Sequence, residues 1–265
     1  MIDHRLPPDP KSVAHRLVAL LADAAREATV ADVRIGLGYT AVRLADGRTG
    51  VAYTFRDQAQ GGCSVFNGRR PLSGRAVSDL LPLIELHDAI EAGVGLACAN
   101  ALGNQQKPGH LIGDILEHLD VQPEDDVAMV GNFGPLVETL RSSARSLTIF
   151  ERVTAPTGLL RPQEEALAVI PRCQIVLITA TSIINHSIDP LLQAARECRE
   201  VVLLGASTPL IPEAFSAARV TMLSGVVVTA AEEVLRIVSE GGGMRQFGPY
   251  VRKVTVRTNN QDGTE

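Results

Sequence analysis

"VAMVGNFGPLV", residues 127–137, joins an apolar run to a glycine-flanked turn and then to a helical pattern. A short run this apolar reads as a strand buried on both faces. Gly131 suits a sharp turn after that strand. Gly134 lets the chain enter a helix, or approach a ligand, without a Cβ clash. Pro135 fits the first helical turn, where its missing N–H costs nothing. Strand, turn and helix in this order open a doubly wound α/β domain. The glycines are spaced G-x-x-G, so the dinucleotide fingerprint G-x-G-x-x-G is absent.

Working outward, similar runs follow downstream: "LTIF" (147–150), "IVLITA" (175–180), "VVLLG" (201–205) and "RVTML" (219–223). They alternate with helical segments from Pro135, around 163–170, over 188–198, near 212–217 and over 230–239. Five β-branched-rich runs separated by helices predict a Rossmann-like parallel sheet covered on both faces.

Upstream the period changes. Val13, Leu17, Leu20, Leu21 and Ala24 keep helical spacing over 11–28. Val33, Ile35 and Leu37 then alternate with other residues, and "TAVRL" and "GVAYTF" flank the tight-turn pair Asp46-Gly47. This predicts a helix followed by an antiparallel meander. Residues 56–74 are glycine-rich and aperiodic and read as a loop. Residues 81–105 read as one helix rich in small residues, including Gly93, Gly95, Ala97, Ala99 and Ala101, which permit close approach of a neighbour. "NQQKPGH" (104–110) reads as a linker. The expected fold class is α/β, with an α+β unit over 1–110 and a Rossmann-like unit over 111–265.

Composition narrows the function. Among 265 residues, 45% are hydrophobic and 3% aromatic, so the core is built from aliphatic side chains. The net charge is −5 with no basic stripe, which argues against a nucleic-acid partner. The N-terminal stretch has no signal pattern, and no apolar run reaches the ~20 residues a bilayer requires. The four cysteines, Cys63, Cys98, Cys173 and Cys198, form no C-x-x-C pair. Reduced thiols in a cytoplasm are the expectation. Homodimerisation is compatible with so many small residues, although no motif specifies it.

In a doubly wound sheet, ligands bind beyond the carboxyl ends of the strands. That rule selects "GNFGP" (131–135), "ERVTAP" (151–156), "TATSIINHSID" (179–189), "GASTPLIPE" (205–213) and "SGVVVT" (224–229). Asn132 and Phe133, held between two glycines, should face the ligand. Glu151 lies twenty positions beyond Gly131, where Rossmann proteins hold ribose hydroxyls; a solvated loop charge is the alternative. Thr181 and Asn185, with Ser182 and His186, share one loop, in which Asn185 or Ser187 can equally cap a helix. Ser207 and Thr208 present hydroxyls, and Pro209 stiffens their loop. Gly241–Gly243 either close over a ligand, with Arg245 supplying charge, or end a helix. Cys63 is either a loop thiol or a small buried residue. No catalytic set emerges: Ser182 lies outside a G-x-S-x-G elbow, and there is no H-E-x-x-H.

"GLGYTAVRL", "ACANAL", "VGNFGPLV", "IFER", "TATSIIN", "GASTPLIPE" and "GGGMRQF" occur in an order that resembles the "Putative heavy-metal chelation" family over nearly the whole chain. The resemblance implies an enolase-N-terminal-like α+β domain over roughly 11–108 and a Rossmann-like chelation domain over roughly 111–255. It implies a site in the cleft between them, at Gly131, Asn132, Phe133, Glu151, Thr181, Asn185, Ser207, Thr208 and Pro209. It also implies a link to metal handling or corrinoid synthesis, with a metal ion or metal chelate as ligand. Soft metals require thiolate and imidazole clusters, and these residues are mostly hydroxyls and amides, so a metal is expected to arrive already chelated. Two functions follow as expectations. One is binding of a small polar or anionic ligand. The other is an enzyme using a nucleotide-like cofactor, a dinucleotide or S-adenosylmethionine, at the same edge.

Overall fold

A computed structural model of the chain describes residue 9, residues 11–58 and residues 62–258. Helix α1 (Val13–Glu27) begins where the Ser12 hydroxyl accepts the His15 N–H at 3.2 Å. It buries Val13, Leu17, Leu21 and Ala25 at four-residue spacing. Strands β1 (Val30–Ile35), β2 (Tyr39–Leu44) and β3 (Thr49–Tyr53) form the antiparallel meander. The turn before β3 places Gly47 at φ +92°.

Short helix α2 (Val77–Leu80) and a 3-10 turn over Leu81–Glu85 lead to α3 (Ala89–Gly103). The single helix expected over 81–105 is therefore interrupted. The cause is Asp88, whose carboxylate accepts the N–H groups of Ile90 and Glu91 and starts a new helix. Helix α3 is buried on every side from Ala89 to Leu102. A Cβ at Gly95 would stand 2.2 Å from the Ile84 nitrogen, so the glycine is what lets the 3-10 turn lie against the helix.

The second half comprises β4 (Leu111–Ile112), β5 (Asp126–Val130), α4 (Gly134–Ser143), β6 (Ser146–Glu151), β7 (Leu160–Pro162) and α5 (Ala166–Val169). It continues through β8 (Ile175–Thr179), α6 (Thr181–Ile184), α7 (Ile188–Ala194), β9 (Glu200–Leu204) and β10 (Met222–Val228). Helices α8 (Ala231–Ser239) and α9 (Met244–Phe247) and strand β11 (Val251–Arg257) complete it. The sheet order is β4-β11-β10-β9-β8-β5-β6-β7. The six strands from β10 to β7 run parallel, and β11 is antiparallel to both neighbours.

The five apolar runs became β5, β6, β8, β9 and β10, the parallel centre. The edge strands β4 and β7, and β11 beside β4, carry no such run, because continuous apolar runs mark the parallel strands covered on both faces. "SGVVVT", expected as a loop beyond a strand, instead lies largely inside β10. Gly225 is there for close approach: a Cβ would stand 2.9 Å from the Thr208 carbonyl oxygen. "TATSIINHSID" is likewise not one loop, since α6 forms within it.

One sheet face sends Val127, Met129, Leu147, Ile149, Leu177 and Val202 against Leu136 and Leu140 of α4. The other face, with Val130, Phe150, Val176 and Ile178, shares one continuous apolar cluster with Leu17 of α1 and Leu96 of α3. Helix α8 packs Val234, Leu235 and Val238 on Ala41 and Val51 of the small sheet. The two halves thus share cores on both sides of the meander. No helix among the described residues is long and apolar enough to cross a membrane.

Candidate functional site at the carboxyl edge of the larger sheet

Strand order reverses beside β5, whose successors β6 and β7 lie on one side and β8, β9 and β10 on the other. Doubly wound sheets in general place their ligand crevices at the carboxyl end beside such a reversal. Gly131 leaves β5 at φ +91° and Gly205 leaves β9 at φ +111°. A Cβ at Gly131 would stand 3.0 Å from Thr179 Cβ and 3.5 Å from Phe133 Cε2. One at Gly205 would stand 3.7 Å from Phe133 Cε1. The half-buried Phe133 ring therefore lies across the ends of β5, β8 and β9, in space that side chains at the two glycines would narrow.

Phe133 is also the N-cap residue of α4, with φ −95° and ψ 75°, and no side chain caps that helix. Pro135, in the first turn, has no N–H to satisfy. A Cβ at Gly134 would meet nothing within 4 Å, so packing does not demand that glycine. Asn132 is exposed. Its N–H donates to Glu151 Oε2 at 3.2 Å, and the Arg152 N–H donates to Glu151 Oε1 at 2.8 Å. Glu151 thereby staples the β5 exit to the β6 exit. Thr181 Oγ1 pairs with Thr179 Oγ1 at 3.0 Å at the end of β8, and Ser182 Oγ donates to the Thr179 carbonyl at 2.6 Å.

Gly131, Asn132, Phe133, Glu151 and Thr181 are thus brought to one edge. The other four predicted residues are not. Ser207 and Thr208 are 2% and 0% exposed, and Pro209 is buried. Ser207 Oγ accepts the Tyr53 N–H at 2.9 Å. Their loop would be open on an isolated sheet, but α3 and β3 lie across it. Asn185 is engaged locally, just before α7: its Oδ1 accepts the Ser187 N–H at 3.2 Å and the Ser187 hydroxyl at 2.7 Å. His186, at φ +58°, places Nε2 2.8 Å from the Leu86 carbonyl oxygen. Gly241 and Gly242 donate to the carbonyls of Val238 and Ile237, as a helix end does. Arg245 is exposed, and the Cys63 side chain lies outside the described residues.

Two residues of the seam escaped the sequence reading. Asn100 Nδ2 donates to the Val51 carbonyl at 2.8 Å and the Ser207 carbonyl at 3.1 Å. Asn104 Nδ2 donates to the carbonyls of Thr208 and Val226, and its Oδ1 accepts the Leu210 N–H at 2.8 Å. The available signal was two asparagines four positions apart, one in the apolar second half of α3 and one at its end. Such amides are buried only where hydrogen bonds await them. Asn100 Oδ1 and Thr208 Oγ1 remain buried without a partner among the described residues.

The donor chemistry does not fit a bare soft metal. Burial pushes the Cys98 thiol up to about 12 and those of Cys173 and Cys198 to about 11, so all three stay protonated at neutral pH. No group of three His, Cys, Asp or Glu side chains among the described residues could hold a metal ion. A recess of about 350 Å³ lies elsewhere, in the N-terminal half, with Arg69, Arg75, Ser78 and Asp79 in its wall. Arg69 is engaged by Glu91 at 2.8 Å, and Arg75 Nε donates to the Pro71 carbonyl at 3.0 Å.

Comparison with known proteins agrees with this architecture. The chain is 22% identical to an uncharacterized protein of Methanocaldococcus jannaschii, covering 93% of this chain and 96% of that one. A crystal structure from Pyrococcus horikoshii, a DUF364-family protein of unknown function, superposes with a TM-score of 0.81 at 21% identity, covering 93% of this chain and all of the other. Another from Desulfitobacterium hafniense, in the same family, gives 0.77 at 22% identity, covering 91% and 98%. Two family profiles, DUF4213 and DUF364, both described as "Putative heavy-metal chelation", match residues 18–103 and 114–257. The second spans more than half of the sequence, and the chain belongs to the DUF364 family.

Proposed function

We propose that the chain binds a small polar or anionic organic ligand, a metal chelate included, at the carboxyl edge over β5, β6 and β8. The observation that carries this reading is the Phe133 ring lying across the glycine exits of β5 and β9, beside an uncapped helix start. An aromatic ring at that place offers a flat apolar surface. Helix amides, the Thr179 and Thr181 hydroxyls and Glu151 offer polar groups around it. Such a mixture orients a small molecule. It contains no soft-metal ligand set, so a metal would travel inside its organic chelator.

The test is a thermal-shift screen of free divalent metals, metal–citrate chelates, organic acids and nucleotides, repeated on Phe133→Ala and Glu151→Ala. Stabilisation by an organic anion or chelate, diminished in both variants, is the expected result. Stabilisation by free metals alone would refute the reading. A second reading, a nucleotide-like cofactor, draws on Glu151 at the end of β6, whose oxygens keep lone pairs beyond the two backbone bonds they accept. Mass spectrometry of gently purified protein should then reveal a co-purified dinucleotide or S-adenosylmethionine.

A further inference from the structure

Arg152 is the first residue beyond β6, and its side chain turns toward the N-terminal half. Its guanidinium carbon stands 4.6 Å from the centroid of the Phe55 ring. Phe55 is 4% exposed and packs edge-on against Tyr53 at 5.0 Å. Tyr53 meets Tyr39 at 5.9 Å, and Tyr39 meets Phe247 at 5.2 Å. Four rings therefore form one packed line beneath Arg152, and the Tyr53 N–H anchors it to Ser207.

Arg152 is different in kind from its platform. It is exposed, and the contact with Phe55 is the interaction its guanidinium makes among the described residues. Only its backbone is tied down, through Glu151 Oε1. The donors of its planar fork are thus uncommitted, and the backbone that carries them is bonded to Glu151, the residue that also holds Asn132. An exposed cation resting on an aromatic ring is held weakly, whereas a bidentate bond to an oxyanion is charge-assisted and geometrically matched. The side chain can leave Phe55 for an anion, and the buried ring remains to receive it again.

We infer that Arg152 is the residue that recognises the ligand's oxyanion, a carboxylate or phosphate, and that Phe55 is its resting place in the free protein. This rests on the ligand-binding reading above and sharpens it to an anion-specific site. It also assigns Glu151 a positioning role, since its carboxylate fixes the backbone from which Arg152 reaches.

Calorimetric titration of the full chain with citrate, ferric citrate and inorganic phosphate separates the sources of the oxyanion. Wild type should bind at least one of the three, more weakly as salt rises. Arg152→Ala should weaken that binding by roughly fivefold or more, and Arg152→Lys should fall between, because it keeps the charge and loses the fork. Circular dichroism should show both variants folded, as expected for an exposed side chain. If wild type binds and Arg152→Ala binds with less than about a fivefold loss, the assignment of Arg152 is overturned while ligand binding stands. If wild type binds none of the three, both readings are overturned.

Discussion

Asn104, on the helix of the first half, donates from Nδ2 to the Thr208 carbonyl of the second half at 2.9 Å. The same side chain serves Val226 and Leu210, so three backbone groups of the second half, one in β10 and two in the loop after β9, depend on one amide. Replacing Asn104 by Ala leaves two buried carbonyls and one N–H unpaired, each costing about 1–3 kcal/mol. Asn104→Ala should therefore lose about 3 kcal/mol or more of stability in urea unfolding. A loss below ~1 kcal/mol would show that the seam is not held this way.

Gly95 and Gly134 should respond oppositely to alanine. Within a helix, Gly to Ala ordinarily gains up to about 1 kcal/mol. At Gly95 the new Cβ would stand 2.2 Å from the Ile84 nitrogen, a backbone atom that cannot yield cheaply. Overpacking of this kind costs about 1–3 kcal/mol or more, so the clash wins. At Gly134 the space is open and φ is not left-handed. Gly95→Ala should lower the melting temperature, and Gly134→Ala should leave it equal or raise it. If the open space at Gly134 is the ligand's, that variant should also bind more weakly.

Asp189 links α7 to the start of α1, its Oδ1 accepting the Val13 N–H at 3.0 Å. Burial, the largest influence, raises its pKa above 3.8 despite the opposing pull of that hydrogen bond and of Arg16. The folded chain therefore holds the proton more tightly than the unfolded one. This contribution to stability is complete below pH 3.8 and is lost as pH rises through the raised folded value. Asp189→Asn, which keeps an acceptor without the charge, should be more stable than wild type at pH 7. Its advantage should shrink toward pH 3 in a series of thermal melts.

The three described thiols predict slow chemistry. With pKa values near 11 to 12 and little or no exposure, Cys98, Cys173 and Cys198 offer almost no thiolate to a reagent. In a Cys63→Ser background, a chromogenic disulfide should titrate none of them promptly in the native chain and all of them in denaturant. Prompt labelling in the native state would mean that the core opens more readily than its packing indicates.

Much of the architecture was legible because it is a local property of the chain. Apolar runs such as Val127–Val130 can be buried on both faces only in a parallel sheet centre, and Gly131 marks the turn that follows. The turn expected at Gly131 is there, since φ near +91° is a backbone demand that a local pattern signals. Gly225 sends no such signal, because its reason is a neighbour's carbonyl rather than its own φ, and the segment 224–229 expected beyond a strand lies largely within one. Strand β11 escapes a local reading for a related reason, as its antiparallel pairing with β10 and β4 asks for no continuous apolar run.

By itself the sequence determined the antiparallel meander and the five parallel strands of the sheet centre, because hydrophobic period and turn chemistry act over a few residues. Only the tertiary structure decided which residues stand open at the carboxyl edge. Ser207 and Thr208 have the chemistry of a binding loop, yet α3 and β3 cover them and convert their loop into a seam. Arg152 has the chemistry of an ordinary surface charge, yet its guanidinium rests on Phe55, nearly a hundred positions earlier. Exposure and partnership are set by contacts between distant segments, and no short pattern in the chain records them.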